Sequence, residues 1–278
     1  MSDPTGSAGN NCYRHPDRQS FVLCQRCGRT ICPACQTQAA VGVHCPECVN
    51  EARQTAPKTK SRVRTAFSSS SERPVVTYSI MALCAVVFLL QQVTGGFVTR
   101  ELLYAPIYTL SEPWRMVTTI FTHGGILHIL FNMYTLYIFG PVLERMLGRA
   151  RYIALYLLAG FGGSVAVLLL TDPLQSVVGA SGAIFGLMGA FLVIQRGLGG
   201  GNSRGLLLII GINLVFPFIV GGNISWQAHL GGVIVGALIG FIYTKTRNIR
   251  QKNTQILALV GVAVGLLALI LIRIFVLG

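Results

Sequence analysis

From Val75 onward the chain falls into seven apolar stretches, each close to the roughly twenty residues a helix needs to cross a bilayer. No other property constrains the fold as hard, because lipid offers no water to satisfy a bare backbone and helices close their own hydrogen bonds. The stretches run Val75–Val93, Gly125–Leu143, Tyr152–Leu170, Val178–Ile194, Gly205–Val220, Ile224–Tyr243 and Ile256–Leu277. The fourth and fifth are short and contain glycine, so their ends are the least defined. With 52% hydrophobic and 11% charged residues, the composition is that of an all-α polytopic membrane bundle. The first seventy or so residues differ: they hold seven of the eight cysteines and no span. Met1 to Asn11 is small and polar, without the apolar core or cleavage pattern of a signal peptide.

Loop charge orients the bundle, since cytoplasmic loops carry the excess of Lys and Arg. Lys58, Lys60, Arg62 and Arg64 precede span one; Arg145, Arg149 and Arg151 follow span two; Arg196 and Arg204 follow span four; Lys245, Arg247, Arg250 and Lys252 follow span six. The opposite loops hold Glu101, Glu112 and Asp172, with Arg100 and Arg115 as their only bases. This alternation predicts a multi-pass protein of the cell membrane with a cytoplasmic N-terminus and an extracytoplasmic C-terminus. It also accounts for the net charge of +13. A nucleic-acid surface would gather its bases on one face with aromatic platforms, whereas these are dispersed over four loops. A transporter would place ionisable groups at mid-membrane, and the spans lack them.

Spans two, four and six then run in one direction, and His128, Ser181 and His229 all lie near their N-terminal ends. At about 1.5 Å per residue, three to five residues into a span is only about 5 to 8 Å below its start, within reach of water through a cavity. Alone, Ser181 fits a packing residue, because Gly182 and Gly186, like Gly232, Gly236 and Gly240, are small residues at the four-residue spacing of close helix contacts. A histidine in lipid costs several kcal/mol unless it is paired or faces water. At matched depth the two become a nucleophile and its base. No Asp or Glu follows Asp172, so a triad acid is not expected and the chemistry is that of a Ser-His dyad with His229 as general base. Phe185, one turn after Ser181, is placed to lean on the imidazole, or else packs as a core aromatic. His128 and Asn132 share a helix face, and two neutral donors aimed at one point suit a developing oxyanion. Their alternative use is interhelical hydrogen bonding.

Span two with its His123-Gly-Gly-Ile-Leu-His128 start, the Gly179-Ala-Ser181-Gly box, the Ala228-His229-Leu-Gly-Gly box and the Glu112-Pro-Trp114-Arg115 segment together resemble the rhomboid family of intramembrane serine proteases. The resemblance covers roughly residues 75–245. It implies a six-helix core, with the seventh helix as a C-terminal addition, Ser181 as nucleophile and His229 as general base. It also implies an oxyanion hole made by the Ser181 N–H with His128 and Asn132, and a Gly179 that keeps the nucleophile loop open. Trp114 and Arg115 match a structural motif of the long first loop, and Glu144 and Arg145 a structural pair at the inner end of span two. Many relatives carry Tyr where Phe185 stands. The implied reaction is cleavage of single-span membrane proteins near the outer membrane face, without a cofactor. The rival is a catalytically silent rhomboid-like protein that binds membrane proteins or serves their quality control; the intact Ser181, His229, His128 and Asn132 argue against it.

Cys12-x-x-His15, Cys24-x-x-Cys27, Cys32-x-x-Cys35 and Cys45-x-x-Cys48 form four pairs at the spacing of zinc knuckles. Eight ligands suit two tetrahedral zinc ions, and disulfides do not suit a reducing cytoplasm. The spacing resembles B-box-type zinc fingers, whose last pair is usually histidine. That resemblance implies interleaving, with Cys12, His15, Cys32 and Cys35 on one ion and Cys24, Cys27, Cys45 and Cys48 on the other. Sequential pairing is the alternative, and His44 beside Cys45 is either a ligand or an exposed neighbour. No open metal position with a general base is apparent, so the zincs are expected to be structural and the module to bind a cytoplasmic protein partner. The expected organisation is a zinc-binding module at 1–52, a basic and Ser-rich linker at 53–74 whose bases rest on lipid headgroups, a protease core at 75–245 and a seventh transmembrane helix at 246–278.

Overall fold

The computed structural model describes residues 10–39, 41–55, 73–197, 204–220 and 224–276. Residues 56–72, most of the expected linker, lie outside the described residues. The chain divides into two compact units, Met1–Lys60 and Ser61–Gly278.

In the first unit, β1 (Asn11–Cys12) pairs antiparallel with β2 (His15–Gln19), and β3 (Thr37–Gln38) with β4 (Val43–His44); α1 (Pro46–Thr55) follows. Its interior consists of Cys12, Cys24, Cys32, Cys35, Cys45 and Cys48 around Ile31, with Tyr13 and Val43 packed against them. So small an apolar centre cannot hold a fold by burial alone, which calls for cross-links through the cysteines.

The second unit is helical throughout its long elements: α2 (Val75–Val93), the short α3 (Phe97–Leu102) and α4 (Arg115–Thr118), then α5 (Ile126–Leu147), α6 (Arg149–Leu170), α7 (Ser181–Gly197), α8 (Arg204–Val220), α9 (Trp226–Lys245) and α10 (Lys252–Phe275). Five of these, α2, α5, α6, α9 and α10, are long and apolar enough to cross a membrane. The 17-residue α7 and α8 reach about 25 Å each at 1.5 Å per residue, near the lower limit for a span. The seven expected spans therefore all appear as helices.

Several ends differ from expectation, each for a local reason. α7 starts at Ser181 rather than Val178, because Val177 is held extended by two hydrogen bonds with Tyr104, at 2.7 and 3.2 Å. α5 continues past Pro141 and the expected end at Leu143 to Leu147, so Glu144 and Arg145 lie within its last turn, and α6 takes in Arg149 and Arg151. α9 starts at Trp226 after Ser225, whose Oγ caps it by accepting the Ala228 N–H at 3.3 Å. α10 starts a turn earlier than expected and ends at Phe275; the expected end at Leu277 lies outside the described residues.

α6, α7 and α9 all pack against one another, and backbone meets backbone there. A Cβ on Gly232 would stand 2.0 Å from the Gly182 carbonyl oxygen, and one on Gly236 would stand 2.0 Å from that of Gly186. Across the other side, a Cβ on Gly186 itself would sit 2.2 Å from the Ala159 Cβ. In lipid no hydrophobic drive brings helices together, so close van der Waals contact between small residues is what fixes this trio. At the far end of α5, buried Glu144 accepts the Val76 N–H at 2.9 Å, the Thr77 N–H at 2.8 Å and the Thr77 hydroxyl at 2.7 Å, closing the open N-terminus of α2.

The segment between α2 and α5 is anchored by Arg115. Its guanidinium pairs with Glu112 and with Glu101 and lies 4.7 Å from the centroid of the Tyr108 ring. It also donates to the Arg100 carbonyl and, at 3.3 Å, to that of Leu103. A cation this buried is held by carboxylates and carbonyls together, the arrangement that makes its burial tolerable.

Candidate active site

Ser181 is the first residue of α7 and His229 the fourth of α9. The glycine contacts between these helices bring them together: His229 Nε2 lies 2.9 Å from Ser181 Oγ. The Phe185 ring stacks on the imidazole, with centroids 4.2 Å apart and planes 9° from parallel. A hydroxyl hydrogen-bonded to an imidazole that an aromatic face holds in place has the geometry for proton transfer between them. The Ser181 N–H, in the first turn of α7, has no carbonyl four residues back within its own helix.

His128 is the third residue of α5, and Asn132 follows one turn later. The Gly124 N–H donates to His128 Nδ1 at 3.3 Å, so Nδ1 is an acceptor and the ring proton sits on Nε2. Asn132 Nδ2 donates to the His128 carbonyl at 2.8 Å, which uses one of its two N–H groups. Gly179 adopts φ +125°, a backbone region that residues with a Cβ rarely enter. A Cβ there would also lie 2.7 Å from both Cε1 and Nε2 of His128. Glycine thus permits the turn and admits the histidine.

All six residues singled out in the membrane unit, Ser181, His229, His128, Asn132, Gly179 and Phe185, line one cavity of about 1130 Å³. Ile209 and Ile212 of α8 and Phe131 and Thr135 of α5 complete part of its wall. The motifs did not reveal what holds the approach to Ser181. Thr119 accepts the Gly179 N–H at 3.0 Å through its carbonyl and donates its hydroxyl to the Val177 carbonyl at 2.7 Å. No pattern in the sequence marks these contacts, because they join a helical turn at Thr119 to extended backbone at Val177, 58 residues later.

The N-terminal unit gathers its ligand candidates into two groups, Cys12, His15, Cys32 and Cys35, and Cys24, Cys27, Cys45 and Cys48, each with its donor atoms within 4.8 Å of one another. This is the interleaved arrangement rather than the sequential one. His15 Nδ1 lies 3.8 Å from Cys12 Sγ and 3.4 Å from both Cys32 Sγ and Cys35 Sγ, and Cys27 Sγ is 3.7 Å from Cys45 Sγ. A tetrahedral site with metal–sulfur bonds near 2.3 Å has edges of about 3.7 Å, so the donors fit such an ion and are too far apart for disulfides. His44 pairs with Thr37 in the β3–β4 ladder and belongs to neither group. Burial opposes ionisation of Cys12, but the N–H groups of Cys32 and Arg14 and the His15 and Cys32 side chains outweigh it and bring the thiol down to about 6. Cys24 is likewise brought down to about 6, against burial, chiefly by the N–H groups of Cys27, Cys45 and Arg26. Cys35 and Cys48 are pushed the other way, Cys35 to about 11 by burial and Cys48 to about 12 by its contact with Cys45, so a metal ion, which binds the thiolate, would displace their protons.

Comparison with known proteins places residues 110–246 in a match to the Rhomboid domain family. The chain is 37% identical over 186 residues to YdcA of Bacillus subtilis, assigned by its name to the rhomboid proteases, covering 64% of this chain and 92% of that one. It is 35% identical over 211 residues to the rhomboid protease GluP of the same bacterium, covering 70% of this chain and 40% of GluP. The rhomboid protease GlpG of Haemophilus influenzae is 29% identical over 180 residues, with 62% of this chain and 92% of GlpG aligned.

Proposed function

Because the chain belongs to the rhomboid family of intramembrane proteases, we propose that it is a serine endopeptidase whose nucleophile is Ser181 and whose general base is His229. The observation that carries this reading is the 2.9 Å contact between Ser181 Oγ and His229 Nε2 at the wall of a large cavity. The substrates are single-span membrane proteins, cut near the outer face. The protein is a multi-pass membrane protein with its N-terminus in the cytoplasm and its C-terminus outside.

In this mechanism Ser181 Oγ attacks the scissile carbonyl carbon while its proton passes to His229 Nε2. The carbonyl π electrons move to oxygen, and the oxyanion is received by the Ser181 N–H, His128 Nε2–H and the uncommitted N–H of Asn132. Collapse of the tetrahedral intermediate breaks the C–N bond, and the departing amine takes the proton from His229. Water, deprotonated by His229, then attacks the acyl ester; the ester C–O bond breaks, and Ser181 Oγ leaves with the proton returned by His229. The stacked Phe185 ring holds the imidazole in place during both transfers. Carboxylate assistance is not part of this scheme: no Asp or Glu follows Asp172, and Glu144 is engaged at the start of α2.

The two Cys/His groups each hold a structural zinc ion, which cross-links a unit with little apolar core, and the folded module binds a cytoplasmic protein. Zinc supplies no reaction step here, since each group offers four ligands and leaves no open position.

The test is cleavage of a model single-span substrate by the purified protein in lipid. Ser181→Ala should abolish cutting with the thermal transition unchanged. Equal cutting by the alanine variant would sink the dyad and leave the rhomboid-like binding protein as the reading.

A further inference from the structure

Gln91 is a polar residue near the end of the apolar α2, buried to 3% exposure, and every polar group of its side chain is engaged. Its Oε1 accepts the His123 N–H at 3.0 Å, and its Nε2 donates to the His123 carbonyl at 3.1 Å and to Thr99 Oγ1 at 2.8 Å. The amide therefore grips the backbone of His123 on both sides, as a neighbouring strand would. The next backbone N–H, that of Gly124, is the one that donates to His128 Nδ1.

We infer that Gln91 is a positioning residue for the oxyanion site: by clamping the His123 backbone, it aims the Gly124 N–H at His128 Nδ1 and so keeps the ring proton on Nε2. The inference rests on the oxyanion role of His128 proposed above. The chemistry requires this direction of control. A neutral imidazole carries one proton, and only the Nε2–H tautomer offers a donor toward Gly179 and Ser181. The backbone donor at Nδ1 disfavours the other tautomer, which would set N–H against N–H. The segment from His123 to Gly125 contains two glycines and precedes α5, and only its last residue shares a helical bond, through the Gly125 carbonyl, so the Gln91 clamp supplies the rigidity that His123 and Gly124 lack. The clamp crosses 32 residues of sequence and joins α2 to the loop ahead of α5. His123 itself contributes through its backbone; its ring stands edge-on to that of His128, with centroids 5.3 Å apart.

The experiment is a double-mutant cycle in lipid with a single-span substrate, joined to nitrogen NMR of histidine-labelled protein. In the wild type, His128 Nδ1 should resonate as an unprotonated nitrogen and Nε2 as a protonated one, assigned by the signals lost in His128→Ala; the opposite tautomer overturns the inference whether or not any variant folds. Gln91→Leu should lower kcat by about 10-fold with KM within about twofold, less than the about 100-fold that follows outright loss of an oxyanion donor. In the His128→Ala background the same change should cost nothing further. Thr99→Val, which removes one bond to Gln91 but leaves both to His123, should leave kcat within about twofold.

If His128→Ala lowers kcat but Gln91→Leu costs the same with and without His128, the clamp acts elsewhere and the inference falls while the oxyanion reading stands. If His128→Ala leaves kcat unchanged, the oxyanion reading falls and takes the inference with it. A loss from Thr99→Val equal to that from Gln91→Leu would mean that packing of the first loop, not the histidine, carries the effect.

Discussion

His229 and Ser181, 48 residues apart in sequence, share a 2.9 Å hydrogen bond because the glycines of α9 lie directly on the backbone of α7. The distance is set by main-chain contact below the site rather than by packing around it. Gly236→Ala should therefore damage both fold and activity: its Cβ would stand 2.0 Å from the Gly186 carbonyl oxygen, and overpacking of this kind costs about 1 to 3 kcal/mol. Thermal unfolding and substrate cleavage should fall together. Gly261→Ala and Gly265→Ala in α10, where a Cβ meets nothing within 4 Å, are the controls and should be silent.

Phe185 stacks on His229 at 4.2 Å without offering a hydrogen bond, so what it contributes to placing the imidazole is ring contact. Phe185→Ala should reduce kcat by about 5- to 10-fold, the size of an aromatic stacking contribution near 1 kcal/mol. Phe185→Tyr keeps the face and should stay within about twofold. Steady-state kinetics on one substrate separates the two, and equal losses would show that the ring is merely filling space.

Gly179→Ala meets two obstacles at once, a φ of +125° and a contact of 2.7 Å with the His128 ring. The variant should retain its fold, since the strain is confined to one loop, but lose at least about 100-fold in kcat as the histidine is pushed from its place. Labelling of Ser181 by a serine-directed phosphonate should slow in parallel. Unchanged labelling would mean that the loop absorbs the methyl group.

Glu144 serves three donors at the start of α2. Replacing it with Gln sets an NH2 group against some of those donors and should lower stability by about 1 to 3 kcal/mol. Cleavage measured well below the unfolding temperature should remain within about twofold, because Glu144 lies at the opposite end of α5 from His128. Differential scanning calorimetry beside a cleavage assay checks both halves.

Metal analysis of the full chain should return about two zinc ions per molecule, and chelation should expose the N-terminal unit to proteolysis while substrate cutting continues. The interleaved arrangement makes a sharper forecast. The double variant Cys12→Ser/Cys35→Ser should lose one zinc, because both residues serve the same ion. Loss of both ions would restore the sequential pairing.

The helical spans and the residues around Ser181 were legible because their signals are local: apolar length for the spans, and short motifs whose glycines announce close contact. The four Cys/His pairs announced two metal groups, but their spacing left two pairings open, and only the folded positions of His15, Cys32 and Cys35 separate them. The start of α7 was misjudged by three residues for the opposite reason. Val178 is apolar enough to extend the span, yet its neighbour Val177 is held extended by Tyr104, 73 positions earlier, and nothing near Val177 reports that partner. Gln91 offered a visible clue, a buried amide in an apolar helix, but the identity of its partner is a property of the assembled bundle.

The cap on α2 gives the chain a schedule. Glu144 follows Thr77 by 67 residues, so at synthesis rates of about 5 to 20 residues per second the first turn of α2 exists for roughly 3 to 13 seconds before its carboxylate has been made. Until then the N–H groups of Val76 and Thr77 must be served by water or lipid headgroups at the membrane surface. The first span is thus inserted with a provisional end, and the arrival of α5 is what completes it.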